Sequence, residues 1–255
     1  MGAILLSARL ERALERLSSA KDDDEKWRVA RDFFDQNGFP VVNYSFIDGT
    51  RGDLESAPVQ MKSSADPDFI QHYLENRLDL VDPLADYGRS GRATPYVVGA
   101  ALEETLANLP DDRRSHLDFV ASASHSINLL VPLPAGPAGG ALKSGLVLGA
   151  RMKGVEFRTL MSERAPELLV FAHHMHISLQ AGVRRELDGV EPLSVREVDC
   201  LQHIAAGKRP DRISEDMGLA VATVNFHLAK ARTKLNARTT AEAVARAIRY
   251  AMIAP

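Results

Sequence analysis

The stretch that most constrains this chain is residues 193–235, "LSVREVDCLQHIAAGKRPDRISEDMGLAVATVNFHLAKARTKL". Its caps and glycines spell three helices joined by connections too short to hold anything else. Ser194, with Glu197 three residues later, is a capping box, and Leu193 is placed to staple onto the helix it precedes. That helix runs to Ala206 and stops at Gly207. Pro210 suits the first turn of a short second helix, with Ile213 and Met217 facing in and Gly218 at its end. Val221, Val224, Leu228, Ala231 and Leu235 share one face of a third helix. Asn225, Phe226, Ala229, Lys230 and Thr233 take the other. A fourth helix, about Thr240 to Met252, offers Val244, Ala245, Ile248 and Met252.

Charge sets this segment apart. The chain has 31 Lys+Arg against 34 Asp+Glu, a net of −3. From Glu191 onward there are ten against seven, a net of +3, which leaves −6 for residues 1–190. A short-turned helix pair with a basic outer face is the geometry that puts one helix in the major groove. Asn225 suits an adenine edge, and Phe226 or Ala229 a thymine methyl. Lys208, Thr223, Lys230, Arg232 and Lys234 are candidates to hold phosphates. On spacing alone, a solvated surface helix remains the competing explanation.

The match extends further. "LSVREVDCLQHIAAGKRPDRISEDMGLAVATVNFHLAKARTKLNARTTAEAVARAI" resembles the GerE-type helix-turn-helix of the LuxR superfamily at Leu193, Arg196, Glu197, Gly207, Lys208, Ile213, Thr223, Val224, His227, Lys234 and Leu235. The resemblance implies a transcription factor rather than an enzyme. It also implies a homodimer on a near-palindromic duplex, with His227 in the DNA-facing set and RNA polymerase as a further partner. Asn225 stands where the family often has a lysine or arginine, and Ala229 where many members carry a longer polar side chain.

Upstream, the pattern changes to helices mixed with short strands. Helices are expected over Ala3 to Leu17 and Asp24 to Gln36. Strands are expected at "FPVVNYSFID" (ending at Gly49), Val59 to Lys62, "INLLVPLP" and "SGLVLGARM". Further helices are expected at Phe69 to Glu75, Leu102 to Leu109, Arg113 to Ala123 and Arg164 to Leu187. "PAGPAGGA" between the last two strands reads as a hairpin connection. The fold class is α+β, an N-terminal α-β-α sandwich with a central antiparallel sheet followed by an all-α four-helix domain. The expected domains are 1–185, for sensing and dimerisation, and 193–255, for DNA binding, with a linker at 186–192. A lone Cys200 allows no intramolecular disulfide, and the start of the chain lacks the unbroken apolar core of a signal peptide, so a cytoplasmic setting is expected.

Phe69, Tyr73, Asp82 and Pro83 fall at the spacings of the autoinducer-binding domain of quorum-sensing LuxR proteins. The resemblance implies that Asp82 accepts from a ligand amide, Tyr73 donates to an acyl carbonyl, and an indole donates to a lactone carbonyl. Yet the only tryptophan is Trp27, far from that place, and Phe69 has nothing to donate. Tyr96 could restore a donor, and Asn128 stands at a family glycine. Two pocket readings follow: an acyl-homoserine lactone or related signal, or another ligand or none. No cofactor or metal is expected. His173 and His176 share a helix face but lack a third ligand at helical spacing. They and His174 suit dimer contacts with a pH sensitivity. Cys200 reads as a core residue, and "KDDDEK" as a solvated helix start. Neither G-x-S-x-G nor G-x-x-x-x-G-K-S/T occurs. The alternative of a metalloenzyme built on the three histidines requires bound metal and loss of turnover in His173→Ala.

Overall fold

Ser7 caps the first described helix: its hydroxyl accepts from Leu10 N at the start of α1 (Ala8–Ser19). The computed structural model describes residues 7–48, 53–55, 57, 59–107, 109–134 and 142–254, which divide into two units, Met1–Leu179 and Gln180–Pro255. The expected helix start at Ala3, the strand stop at Gly49 and most of the Gly/Ala/Pro loop lie outside the described residues.

In the first unit α1 packs on α2 (Asp23–Asp35), whose start is capped by Asp22 with Asp23, Asp24 and Glu25 in the first turn, as "KDDDEK" suggested. Five antiparallel strands follow in the spatial order β2-β1-β5-β4-β3. They are β1 (Val41–Asp48), β2 (Val59–Ser63), β3 (Tyr96–Val98), β4 (Ile127–Leu133) and β5 (Leu142–Ala150). β4 and β5 pair antiparallel, as the hairpin reading expected.

Register sorts the side chains onto two faces. Tyr44, Leu146 and Val131 lie opposite one another and are buried. Tyr44 faces α7 (Gly154–Leu187), with its hydroxyl 2.6 Å from His176 Nδ1. Phe33 of α2 stacks on Phe171 of α7 with ring centroids 3.9 Å apart. On the other face Ser45, Gly145 and Pro132 lie opposite one another, as do Asn43, Val147 and Leu130. That face is covered by α3 (Pro67–Glu75), α4 (Pro83–Arg89), the short α5 (Glu103–Leu106) and α6 (Asp111–Ala123), with a cavity beneath them. The sandwich is helices, sheet, helices.

Three elements depart from expectation. β3 is only three residues long, too short to show an alternation. α4 begins on Pro83 directly after the Asp82 cap, a seven-residue helix below the length at which a period can be read. α7 starts at Gly154 rather than Arg164 and continues through Pro166. A mid-helix proline removes one hydrogen bond, but Phe157, buried and edge-on to Phe39, anchors the preceding turns.

The second unit holds α8 (Val195–Ala205), α9 (Pro210–Met217), α10 (Val221–Lys234) and α11 (Thr240–Arg249). Cys200, Leu201, Ile213, Val224, Leu228, Ala231 and Leu235 form its core with Ala243, Ala247 and Tyr250. Two assignments need correction. Val221 is exposed, because it sits in the first turn of α10, before the buried series begins at Val224. On α11 Val244, Ile248 and Met252 pack half-buried against this core as expected, but Ala245 is exposed, and the fully buried positions are Ala243, Ala247 and the capping Tyr250. The stretch after α7 is anchored too: Tyr250 donates to Asp188 at 2.6 Å and Arg185 to the Tyr250 carbonyl at 3.0 Å. Among the described residues no helix is long and apolar enough to cross a membrane.

Candidate nucleic-acid interface and ligand cavity

The exposed face of α10 begins with how α8 is held. Ser194 Oγ accepts from Glu197 N, and Glu197 accepts in return from Ser194 N at 2.8 Å, closing the capping box. The same carboxylate, almost fully buried, takes the Lys234 ammonium at 2.8 Å, and Lys234 also donates to the Pro192 carbonyl at 3.2 Å. One glutamate therefore ties the start of α8 to the end of α10. Burial pushes the Glu197 pKa up, and hydrogen bonds from Lys234 and Ser194 outweigh that and hold it below the ordinary carboxylate value. α9 ends at Gly218, whose φ of 64° is the left-handed conformation a side chain resists, and this turn sets α10 against α9.

With Val224, Leu228 and Ala231 buried beneath, α10 presents Asn225, Phe226 and Lys230 to solvent. Phe226 is 55% exposed, and the Lys230 ammonium lies 4.8 Å from its ring centroid. Ala229 and His227 are half-buried on its flanks, and His227 lies edge-on to Phe226. Thr223 is half-buried in the first turn and Arg232 near the last. The other two lysines are engaged: Lys208 pairs with Asp216 at 2.8 Å, and Lys234 with Glu197.

The first unit holds a cavity of about 480 Å³ between the sheet and α3, α4 and α6. Phe69, Tyr73 and Asp82 line it. Tyr73 donates to Asp82 Oδ2 at 2.8 Å, and Oδ1 accepts from Leu84 N at 2.8 Å, so the carboxylate both caps α4 and receives the phenol. Burial, then the adjacent Asp82 charge, push the Tyr73 pKa well up, so the hydroxyl keeps its proton. His116 Nε2 lies 3.9 Å from Asp82. Phe69 stacks on Phe119, with centroids 5.8 Å apart.

Pro83 and Tyr96 are not part of the lining. Pro83 is buried as the first residue of α4. Tyr96 lies flat on Tyr87 with centroids 4.4 Å apart. Trp27 is buried in α2, away from the cavity wall. No indole faces the cavity.

Sequence reasoning missed what fixes this wall. Between Tyr73 and Asp82 the chain turns through Arg77, in the left-handed region with φ 50°, and Asp79. Asp79 is 2% exposed, receives Arg77 Nε at 2.8 Å and pairs with the buried Arg89 of α4. Arg89 also donates to the carbonyls of Asp79 at 2.8 Å and Ala57 at 3.2 Å. Aspartate and arginine are normally surface residues, so no local signal marks them. Asn43 of β1, Asn128 of β4 and His125 before β4 line the same cavity from separate parts of the chain.

The histidines of α7 divide. His176 is buried with both ring nitrogens engaged, by the Tyr44 hydroxyl and the Pro134 carbonyl. His173 and His174 are exposed, each with Nδ1 beside a carbonyl one turn back. No cluster of three metal-ligating side chains occurs among the described residues.

Comparison with known proteins follows the same division. Residues 191–247 match the family described as bacterial regulatory proteins, luxR family (GerE). The chain is 27% identical over 195 residues to the transcriptional activator protein RaiR of Rhizobium etli, covering 75% of this chain and 76% of that one. Its fold is similar to that of the N-acylhomoserine lactone dependent LuxR family transcription factor CepR2 from Burkholderia cenocepacia. That likeness has 15% identity and a TM-score of 0.55 over 69% of this chain and 96% of that one. It is also similar to SdiA in complex with octanoyl-rac-glycerol, at 13% identity and a TM-score of 0.53 over 98% of this chain and 97% of that one. The helical unit therefore carries the GerE helix-turn-helix of the bacterial luxR family of regulatory proteins.

Proposed function

We propose that this regulator is a homodimer whose affinity for a near-palindromic operator is set by a small amphiphilic molecule in the cavity of the first unit. The observation that carries the proposal is a cavity lined by the hydrogen-bonded Tyr73–Asp82 pair, in the same chain as a GerE helix with an exposed basic face. Occupancy biases folding, dimer geometry or the placement of the linker at 186–192, and through these DNA affinity. Dimerisation spaces two α10 helices one turn of DNA apart. The exposed faces of His173, His174 and Ile177 on α7 are its candidate contacts.

On DNA, Asn225 and Phe226 read bases, with Ala229 and His227 at the margin, and Lys230, Thr223 and Arg232 hold phosphates. Lys208 and Lys234 reach phosphate only by sharing their carboxylates. Lys230→Ala is expected to weaken binding to every duplex alike, whereas Asn225→Ala relaxes preference at one base pair by about 1–3 kcal/mol. Selection from a random duplex pool with each variant checks this. Equal loss on all sequences for both variants contradicts the division.

A second reading has its own support: a ligand other than a lactone. Phe69 stacks on Phe119, Tyr96 on Tyr87, and Trp27 is elsewhere, so no indole donor awaits a lactone carbonyl. Mass spectrometry of small molecules released from freshly purified protein separates the two. An acyl-homoserine lactone supports the first, a different amphiphile the second, and an empty cavity in cells that produce both counts against sensing.

A further inference from the structure

Resting on the reading of the cavity as a ligand site, we infer that its ligand is an anionic amphiphile, with Lys143 and Arg92 holding a carboxylate at the end of the cavity remote from Asp82.

Lys143 stands on β5, the central strand of the sheet. It lies opposite Ile47 of β1 and shares a face with Gly145 and Val147, so it belongs to the cavity floor. Lysine is rare on the covered face of a central strand. Here it is half-buried and crosses from the sheet to the helix layer: a Cβ on Gly91, just past α4, would fall 3.1 Å from its Nζ. Gly91 has a φ of 70°, so its missing side chain serves both the turn and the ammonium. Arg92 follows and also lines the cavity, its guanidinium 5.4 Å from the Tyr87 ring centroid.

Neither cation is paired with a carboxylate among the described residues. The acids of the adjoining turn and helix are taken, Asp79 by Arg77 and Arg89, and Asp86 by Arg113. Residues 1–190 carry a net −6, yet the charged lining is Arg92 and Lys143 against Asp82 alone, two cations to one anion. A charge held partly out of water is stabilised by a partner.

Asp82 sits at the opposite end of the seven-residue α4, roughly 10 Å away. Coulomb energy falls inversely with distance, so an anion about 4 Å from Lys143 is attracted more than twice as strongly as Asp82 repels it. Asp82 itself keeps a lone pair beyond those taken by Tyr73 and Leu84 N, enough for one ligand N–H. Between the two ends Ile47, Leu84 and Ala85 supply an apolar wall. The class assigned is a linear acyl amide whose chain ends in a carboxylate.

Three N-propyl amides make the test with the full-length protein, by titration calorimetry at low salt. They are those of octanoic acid, of octanedioic acid with its second carboxyl free, and of the methyl ester of that diacid. The ester matches the anionic amide in length without its charge. Wild type is expected to bind the anionic amide about 10-fold more tightly than either neutral one, the gain of a hydrogen bond to a charged group. Added salt should narrow that preference. Lys143→Met keeps the stem and removes the charge, and the anionic amide should then bind no better than the ester. Trp27 fluorescence checks that this variant is folded, and Arg92→Gln, on an exposed residue, should lower the preference by a smaller factor. Equal binding of all three amides to wild type, or a preference that survives both substitutions, overturns the assignment while the cavity reading stands. Failure of all three to bind wild type overturns the cavity reading, and this inference with it.

Discussion

Asp79→Ala is expected to destabilise the first unit by about 3–5 kcal/mol, the cost of stranding a buried charge. The stranded group is Arg89: its side chain is 6% exposed, it faces the Asp79 carboxylate, and the carbonyls of Asp79 and Ala57 cannot neutralise it. Replacing both partners with apolar residues of similar volume costs far less, because no charge is then left dry. The comparison of Asp79→Ala with an Asp79→Leu/Arg89→Met double variant therefore separates charge stranding from lost packing. Trp27, the chain's only tryptophan and buried in α2, reports the transition of this unit by fluorescence. Arg89 and Asp79 also fix the turn between Tyr73 and Asp82, so the cavity wall is expected to loosen with them.

Glu197→Ala produces the second large effect, in the other unit. It removes an N-terminal capping partner, worth about 1 kcal/mol, and leaves the half-buried Lys234 ammonium with a single carbonyl. The expected sum is roughly 2–3 kcal/mol. Amide exchange over residues 193–235 should accelerate by about 30- to 150-fold, at roughly tenfold per 1.4 kcal/mol. Exchange in β1, β4 and β5 is expected to stay unchanged. Glu197→Gln keeps the acceptor but not the charge, and an intermediate acceleration confirms that both contribute.

The two carboxylates give the same sign with pH. Each has a folded pKa below its ordinary value, 3.8 for Asp79 and 4.5 for Glu197, because its cationic partners outweigh the burial that opposes them. Their stabilisation is thus fully present above about pH 5 and is lost as pH falls through the folded values. Both Asp79→Asn and Glu197→Gln should flatten the acid limb of unfolding while leaving stability flat from pH 6 to 8.

How legible each unit was depends on how local its determinants are. The helical unit is written in short-range signals: Ser194 with Glu197, Pro210, and Gly218 in the left-handed conformation. Each fixes a helix boundary within four residues, so the boundaries follow from sequence. The face of α11 showed through Val244, Ile248 and Met252, whereas the fully buried Ala243 and Ala247 are small and mark no stripe of their own. In the first unit β1 alternates over its first six residues and β4 reads as an apolar run, but β3 has three residues and α4 seven. α7 passes Pro166 because Phe157 finds Phe39 more than a hundred residues away. The cavity was legible only where its residues sit close in sequence, Phe69, Tyr73 and Asp82. Asn128, His125 and the Asp79–Arg89 pair come together through register and turn geometry, which a linear reading does not contain.

Duplex binding by the full chain as a function of salt tests the account most directly. Anisotropy of a labelled random-sequence duplex, titrated at sodium chloride concentrations from about 50 to 300 mM, gives the slope of log affinity against log salt, close to −0.9 for each phosphate neutralised. The account predicts binding at the lowest salt, a steep negative slope, and a slope shallower by about one unit for each α10 helix in Lys230→Ala. No binding at the lowest salt, or a slope near zero with Lys230 intact, would contradict it.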